Sequence, residues 1–253
     1  MTFTYPRYDG LNLCFETREG LARHTTHYDY PKIPEEFKKY RFPSIEAQIV
    51  NVSDPLAFCA HDLEDALAAG FINSYKDLKK LNLPFINEIF DRVKEQTGGI
   101  QDNLIINRIF VRNLIENLSI DVFNQTISNI QKSNIGSVEN IRNADQNIVD
   151  MSHEVRTQFE KLFKYLEKKV YHSPQVLRMN EKGKMILEKL FDKFDKNPMI
   201  LPKRTFNKYE KAKTEADKKK VICDFISGMT DKYAMDIYLQ IFEPYERVLG
   251  VER

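Results

Sequence analysis

The chain has 253 residues and almost balanced charge, with 38 Lys and Arg against 37 Asp and Glu and a formal net charge of +1 at pH 7. This length can bury a full hydrophobic core, in one large domain or two small ones. The charge balance argues against a protein built mainly to bind nucleic acid or an anionic membrane surface.

The cysteines and the N-terminal sequence indicate the cellular compartment. Cys14, Cys59 and Cys223 are odd in number and widely spaced, which argues against both a disulfide framework and a structural zinc site. No apolar run approaches the roughly 18 residues that span a bilayer, and MTFTYPRYDG lacks the features of a signal peptide. We therefore expect a cytoplasmic protein with no membrane partner.

Helical periodicity dominates the rest of the sequence. Nine glycines and few alternating β-branched runs leave little material for a parallel sheet or a phosphate-binding loop. The sequence therefore predicts an all-α fold, with a proline-rich loop over residues 29–43. The predicted helices cover residues 14–26, 45–70, 75–96, 101–132, 138–170, 176–196 and 207–242.

The predicted helix at 45–70 has two distinct faces. Apolar residues recur at steps of three and four, at Val52, Leu56, Ala60, Leu63 and Leu67. Gly70 follows as a C-terminal glycine. The opposite side carries Asp54, Phe58, His61 or Asp62, and Asp65.

The polar face of this helix has more than one interpretation. Charged residues opposite an apolar stripe usually meet water, but Phe58 among them favours a face that borders a cleft. Asp54 is alternatively a helix N-cap followed by Pro55 at the first helical position. His61 is more often a hydrogen-bonded surface histidine than a metal ligand, since a hydrolytic metal needs at least three protein ligands.

Four ordered blocks carry a resemblance to a known family. They are Gly10–Leu13 with Glu19, Gly20 and His24; Ser44–Gln48; Asp54–Asp65; and Asp224–Ala234. Together they resemble the dGTPase-like deoxynucleoside triphosphate triphosphohydrolases of the HD-domain superfamily. The resemblance implies a multi-helix HD-domain phosphohydrolase-like fold and hydrolysis of a dNTP, with dGTP expected, to the deoxynucleoside and tripolyphosphate.

The resemblance also implies roles for individual residues. The family holds a divalent cation, expected to be Mg²⁺ or Mn²⁺, with a split H…HD…D motif, whose last aspartate matches Asp54. Phe58 matches the aromatic residue against the deoxyribose, and Asp62 matches the carboxylate that reaches the sugar hydroxyl. His61 and Asp62 match the family's downstream His-Asp pair and not its metal-binding doublet.

The H…HD part of the metal motif is not found in this sequence. We therefore expect residues 1–70 to be the C-terminal part of the HD-type domain, without its N-terminal helices, and residues 71–253 to be a phosphohydrolase-associated helical domain. One carboxylate cannot hold a catalytic cation, so the chain alone is predicted to be inactive and to need a missing N-terminal portion or a homo-oligomer. The alternative is a non-catalytic regulatory module that binds a nucleotide or a protein.

Two further segments have open roles. Arg108 and Arg112 lie one turn apart and could contact a triphosphate, or they form ion pairs along the helix with residues such as Glu116. The segment around Asp231 is predicted to have a structural role in packing the last helix.

Overall fold

The structure is a computed structural model that describes residues 7, 11–25 and 30–244. Every regular element in these residues is helical, which confirms the all-α prediction. The α-helices are α1 Phe15–Ala22, α2 Ile45–Ala68, α3 Pro84–Gln96, α4 Asn103–Lys132, α5 Val138–Arg142, α6 His153–Leu166, α7 Pro174–Lys196, α8 Lys203–Lys211, α9 Glu215–Ser227 and α10 Asp231–Phe242. Short 3-10 turns cover Glu35–Phe37, Tyr75–Leu81 and Pro198–Ile200, and a π-helical turn covers Glu167–Tyr171.

The chain forms two compact units, one up to Tyr171 and one from His172 onward. The core of the first unit lies between α2, α3, α4 and α6. Its fully buried residues include Leu63, Ile86, Phe110, Leu114 and Leu162. The second unit has a smaller core built from α7, α9 and α10. The division into family domains at residue 70 is a different kind of boundary, and it stays a prediction.

Helix α2 runs without interruption through Pro55. Its N-cap is Ser44, whose side chain accepts a hydrogen bond from the Ala47 amide at 3.4 Å. Asp54 therefore lies in the helix interior, so the interpretation of this residue as an N-cap is wrong. Burial of the apolar stripe outweighs the cost of a proline that removes one helical hydrogen bond. Gly70 follows the helix with φ +77°, the left-handed conformation that the predicted C-terminal glycine should adopt.

The predicted helix at 138–170 is in fact two helices. α5 ends at Arg142, and α6 begins after Ser152, which caps it. Between them Ile148 and Val149 are buried, and their amides donate to Gln48 Oε1 at 2.8 and 3.2 Å. The side chain of Gln48, one hundred residues earlier, thus accepts the hydrogen bonds of these two amides, so this segment does not require helical hydrogen bonds.

Two other predicted helices are also divided. Pro84 separates the 3-10 turn from α3 within the predicted helix at 75–96, because proline is favoured at the first position of a helix. The predicted helix at 207–242 consists of parts of α8, α9 and α10, and Thr214 and Thr230 act as N-caps of the last two. Thr230 accepts a hydrogen bond from the Tyr233 amide at 3.2 Å.

A buried ion pair fixes α1 in the first unit. Glu19 is fully buried and Arg142 is 4% exposed. Arg142 Nη1 donates to Glu19 Oε1 at 3.0 Å and lies 2.9 Å from Oε2. Arg23, next to the end of α1, lies 3.5 Å from the same carboxylate and also donates to the carbonyls of Phe37 and Tyr40. These contacts hold the chain at the end of α1 close to the core of the first unit.

No helix in the described part of the chain combines the length and the apolar character that crossing a bilayer requires.

Candidate functional site

Helix α2 separates the core from the candidate site. The residues on its inner face are buried, and they include Leu56, Cys59, Ala60, Leu63 and Leu67. On the opposite face the side chain of Asp54 is 54% exposed, and Phe58 is 44% exposed. Asp62 lies one turn further along and is half-buried. The structure therefore places the three residues on one side of a single helix, as predicted.

Tyr171 joins this face from a distant part of the sequence. Its hydroxyl donates a hydrogen bond to Asp62 Oδ2. Its ring lies 5.9 Å from the ring of Phe58, with 39° between the two planes, and 6.2 Å from that of Phe163. Aromatic rings at such distances attract each other through offset contact. The result is an aromatic wall beside a carboxylate, an arrangement suited to the ring and hydroxyls of a sugar.

No pattern in the sequence assigns a functional role to Tyr171. The structure shows that it ends the π-helical turn, a rare element that often occurs at functional sites. The phenol is 109 residues from Asp62 in the sequence, so helical spacing could not reveal their contact.

A second polar group lies beside Asp54. His24 Nδ1 is 2.7 Å from Asn51 Oδ1, and His24 Nε2 is 3.7 Å from Asp54 Oδ2. Asn51 is in α2 one turn before Asp54, so one helix presents both partners of the imidazole. His24 belongs to the first block of the family resemblance, which assigned it no role.

The residues around Asp54 provide donor atoms of a suitable kind for a divalent cation. Carboxylate oxygen suits Mg²⁺ and Mn²⁺, and imidazole nitrogen suits transition metals. Across the described ranges, no group of three or more His, Cys, Asp or Glu side chains is placed to hold a metal ion. A catalytic site requires at least three protein ligands. The described residues thus supply suitable donors but too few of them.

The less specific candidates lie away from this cluster of side chains. His61 is exposed on α2. Arg108 Nε lies 3.5 Å from Glu64 Oε1, so its ion pair crosses to α2 and does not use Glu116. A cavity of about 420 Å³ is lined by residues that include Glu64, Arg108, Arg112 and Glu116. Two carboxylates balance the two guanidinium groups, which does not favour binding of a triphosphate there.

The thiol of Cys59, which is buried on the inner face of α2, is expected to be unreactive. Burial, with a smaller effect from the charge of Asp62, raises the pKa of its thiol from 9.0 to about 12. The thiol therefore remains neutral near pH 7 and acts as a packing group, as buried cysteines without a cationic neighbour do.

Comparison with known proteins shows which proteins this chain resembles. Residues 149–240 match the family model described as "Phosphohydrolase-associated domain". A "Deoxyguanosinetriphosphate triphosphohydrolase-like protein" from Syntrophus aciditrophicus is 46% identical over 247 residues, which are 97% of this chain and 62% of the relative. Proteins with the same description are 32% identical in Geobacter sulfurreducens (96% of this chain, 62% of the relative) and 35% in Leptospira interrogans (92% and 60%).

The chain spans less than two thirds of the length of these relatives. The family model covers the last helix of the first unit and most of the second unit, while the pairwise similarity also covers α2. The chain is therefore similar over nearly its whole length to part of deoxyguanosinetriphosphate triphosphohydrolase-like proteins, and its residues 149–240 match the phosphohydrolase-associated domain.

Proposed function

We propose that this chain forms one side of the active site of a dNTP triphosphohydrolase, with dGTP as substrate. The observation that carries the proposal is the alignment of Asp54, Phe58 and Asp62 on the outer face of α2, completed by Tyr171. The printed description of the relatives, deoxyguanosinetriphosphate triphosphohydrolase-like, supports the choice of substrate.

Each residue has a role that follows from its chemistry. Asp54 offers carboxylate oxygen to a divalent cation, which when bound lowers the pKa of water and neutralises charge on the phosphate. Phe58 and Tyr171 present aromatic faces to the deoxyribose. Asp62 accepts a hydrogen bond from a sugar hydroxyl, and the phenol of Tyr171 holds its carboxylate in a fixed orientation.

The number of metal ligands sets a limit on what the isolated chain does. Asp54 needs at least two further protein ligands, and we propose that polypeptide outside residues 1–253 supplies them. We therefore expect no dNTP hydrolysis by residues 1–253 alone with Mg²⁺ or Mn²⁺. Turnover by the isolated chain that depends on Asp54 would contradict this expectation.

A chimeric enzyme tests the proposed function directly. Residues 1–253 replace the matching part of the Syntrophus relative, so that the relative's remaining sequence supplies the missing ligands. We expect hydrolysis of dGTP with release of tripolyphosphate, measured by anion-exchange chromatography, and a loss of more than roughly 100-fold in kcat/KM with Asp54→Asn.

The matched control for this loss is Asp91→Asn. Asp91 is an exposed carboxylate on α3, so its replacement removes the same charge without touching the site. It should leave kcat/KM unchanged. A folded chimera that hydrolyses none of the four dNTPs, or whose Asp54→Asn variant retains full activity, would contradict the proposed function.

A further inference from the structure

The ring of Tyr171 contacts two phenylalanine rings that come from different helices. The centre of the Phe58 ring, on α2, is 5.9 Å away, with 39° between the two planes. The centre of the Phe163 ring, on α6, is 6.2 Å away, with 60° between the planes. Both separations lie in the range over which aromatic rings attract each other. Tyr171 therefore links the outer face of α2 to a side chain of another helix.

The core of the first unit holds Phe163 in place. Its neighbours in α6, Leu162 and Leu166, are fully buried, and Phe163 itself is half-buried and packs against the same core. A side chain in such close-packed surroundings occupies few rotamers. Phe163 therefore presents its ring to Tyr171 at a nearly fixed position.

The backbone at Tyr171 gives much less support. Tyr171 is the last residue of the π-helical turn Glu167–Tyr171, in which no residue is buried. The first compact unit ends at this residue, and Ser173 already caps the next helix. Helix ends are the places where the backbone frays. The position of the phenol therefore depends on what its ring and its hydroxyl contact.

The hydroxyl of Tyr171 donates to Asp62 Oδ2, and a hydrogen bond weakens steeply when its distance or angle changes. A rotation of the ring about the Cα–Cβ bond of Tyr171 would break this bond. Of the two rings that oppose the rotation, Phe58 is 44% exposed, so the half-buried Phe163 is the firmer support.

We propose that Phe163 is a positioning residue of the site. Its ring limits the rotation of Tyr171 and so keeps the phenol on the carboxylate of Asp62. This inference rests on the proposed function, because that function assigns Asp62 to a sugar hydroxyl of the substrate. Phe163 then sets the affinity for the substrate from outside the group of residues that contact it.

The expected consequence is a change in affinity without a change in the chemical step, since Tyr171 and Asp62 are assigned to the sugar and not to the phosphates. In the chimeric enzyme, Phe163→Ala should raise the KM for dGTP about 3- to 10-fold and leave kcat within about 2-fold. In a Tyr171→Phe background the same substitution should raise KM less than about 2-fold further, because the hydrogen bond that Phe163 maintains is already absent.

Nuclear magnetic resonance of residues 1–253 tests the positioning role without an activity assay. The tyrosine and phenylalanine rings are labelled with ¹³C, and Tyr171→Phe assigns the signals of Tyr171. We expect nuclear Overhauser effects between the rings of Tyr171 and Phe58, and coupling constants that report a single χ1 rotamer of Tyr171. Phe163→Ala should weaken these effects and average the couplings, whereas Phe163→Tyr, which keeps the ring, should retain both.

Phe71→Ala is the matched control. Phe71 follows the end of α2 and is also half-buried against the core of the first unit, so this variant removes the same side chain from the same core. It should leave the signals of Tyr171 and the KM unchanged. Phe163→Leu keeps most of the apolar volume and guards against loss of structure, which urea unfolding checks for each variant. It should also weaken the Overhauser effects between Tyr171 and Phe58.

Two results would overturn the proposal. The first is a Tyr171 ring that keeps its single rotamer and its contact with Phe58 in folded Phe163→Ala and Phe163→Leu variants. The second is an increase in KM with Phe163→Ala that is fully retained in the Tyr171→Phe background, since the effect then does not act through the phenol.

The two measurements separate this inference from the proposed function. A folded chimera that hydrolyses no dNTP would refute the proposed function, while averaged Tyr171 couplings in Phe163→Ala would still support the positioning of the phenol. An active chimera whose KM does not change with Phe163→Ala would refute the role of Phe163 alone.

Discussion

Arg142→Met should destabilise the first unit strongly, because it leaves a buried carboxylate without its main partner. Glu19 is fully buried, and Arg142 Nη1 is its nearest cation, at 2.9 and 3.0 Å from the two oxygens. Arg23 remains, but only at 3.5 Å from one of them. The guanidinium of Arg142 also lies 4.2 Å from the centre of the Tyr40 ring, a contact that methionine cannot replace in kind.

The expected loss is about 3 to 5 kcal/mol in the free energy of unfolding. Removal of one partner of a buried ion pair typically costs this much, because the remaining charge is not solvated. The hydrogen bond to Oε1 accounts for about 1.5 to 3 kcal/mol of the total, and the lost attraction between the guanidinium and Oε2, 2.9 Å away, accounts for the rest. Arg23 prevents a larger loss.

Urea unfolding followed by circular dichroism measures the effect. The matched control is Arg41→Met, since Arg41 forms a long-range ion pair with Asp145 in the same region at 3.1 Å, but both side chains are exposed. That variant should lose less than about 1 kcal/mol. The double variant Glu19→Met with Arg142→Met should recover at least about 1 kcal/mol relative to the sum of the single losses, because no buried carboxylate is then left without its main partner.

A loss below about 1 kcal/mol for Arg142→Met would refute this reasoning, because a buried carboxylate cannot lose its partner at so small a cost. Additive losses in the double variant would equally show that the two residues are not coupled.

Three further predictions follow from single contacts. With Ellman's reagent at pH 8, we expect Cys14 and Cys223 to react in the folded chain and Cys59 only after unfolding, and a third reactive thiol in the native chain would contradict this expectation. Because the pKa of Cys59 in the folded chain, about 12, exceeds its ordinary value of 9.0, the free energy of unfolding should fall as the pH rises from 9 towards 12. Tyr171→Phe should raise the KM of the chimera for dGTP more than it lowers kcat, because the carboxylate at Asp62 loses its orienting donor; an unchanged KM would argue against that role. Pro55→Ala should increase the free energy of unfolding by roughly 1 to 2 kcal/mol, since alanine restores a helical amide. Urea unfolding measures this change, and a decrease would contradict the prediction.

The sequence was sufficient to locate the central helix of the site. Apolar spacing predicted a helix at 45–70 with Asp54, Phe58 and Asp62 on its outer side, and the structure confirms that arrangement in α2. The prediction succeeded because α2 buries one continuous stripe, and such a stripe is visible in the sequence.

Predictions failed where long-range contacts decide the local structure. The segment between α5 and α6 has enough apolar residues to be read as helix, but Gln48 and Asn129 bind its backbone instead, through Ile148 and Val149. Neither partner is near in the sequence. The contact of Tyr171 with Asp62 was hidden for the same reason.

The boundaries that divide the predicted helix at 207–242 are marked in the sequence by N-cap residues. Thr214 is followed three residues later by Asp217, whose amide donates to the threonine hydroxyl at 3.0 Å. This is the pattern of an N-cap with an acidic third residue. Apolar periodicity continues across such a boundary, so caps must be weighed together with spacing.

The sharing of α2 between core and site constrains how this protein can change. Each residue of an α-helix adds 100° of rotation and 1.5 Å of length. Deletion of one residue between Asp54 and Leu63 would turn the inner stripe against the site by 100°, so that either the core or the alignment of Asp54 with Phe58 is lost. Substitutions on the outer face leave the register intact. New specificity can therefore arise by replacement of side chains on the outer face of α2. A change in the length of α2 would instead disrupt the core or the site.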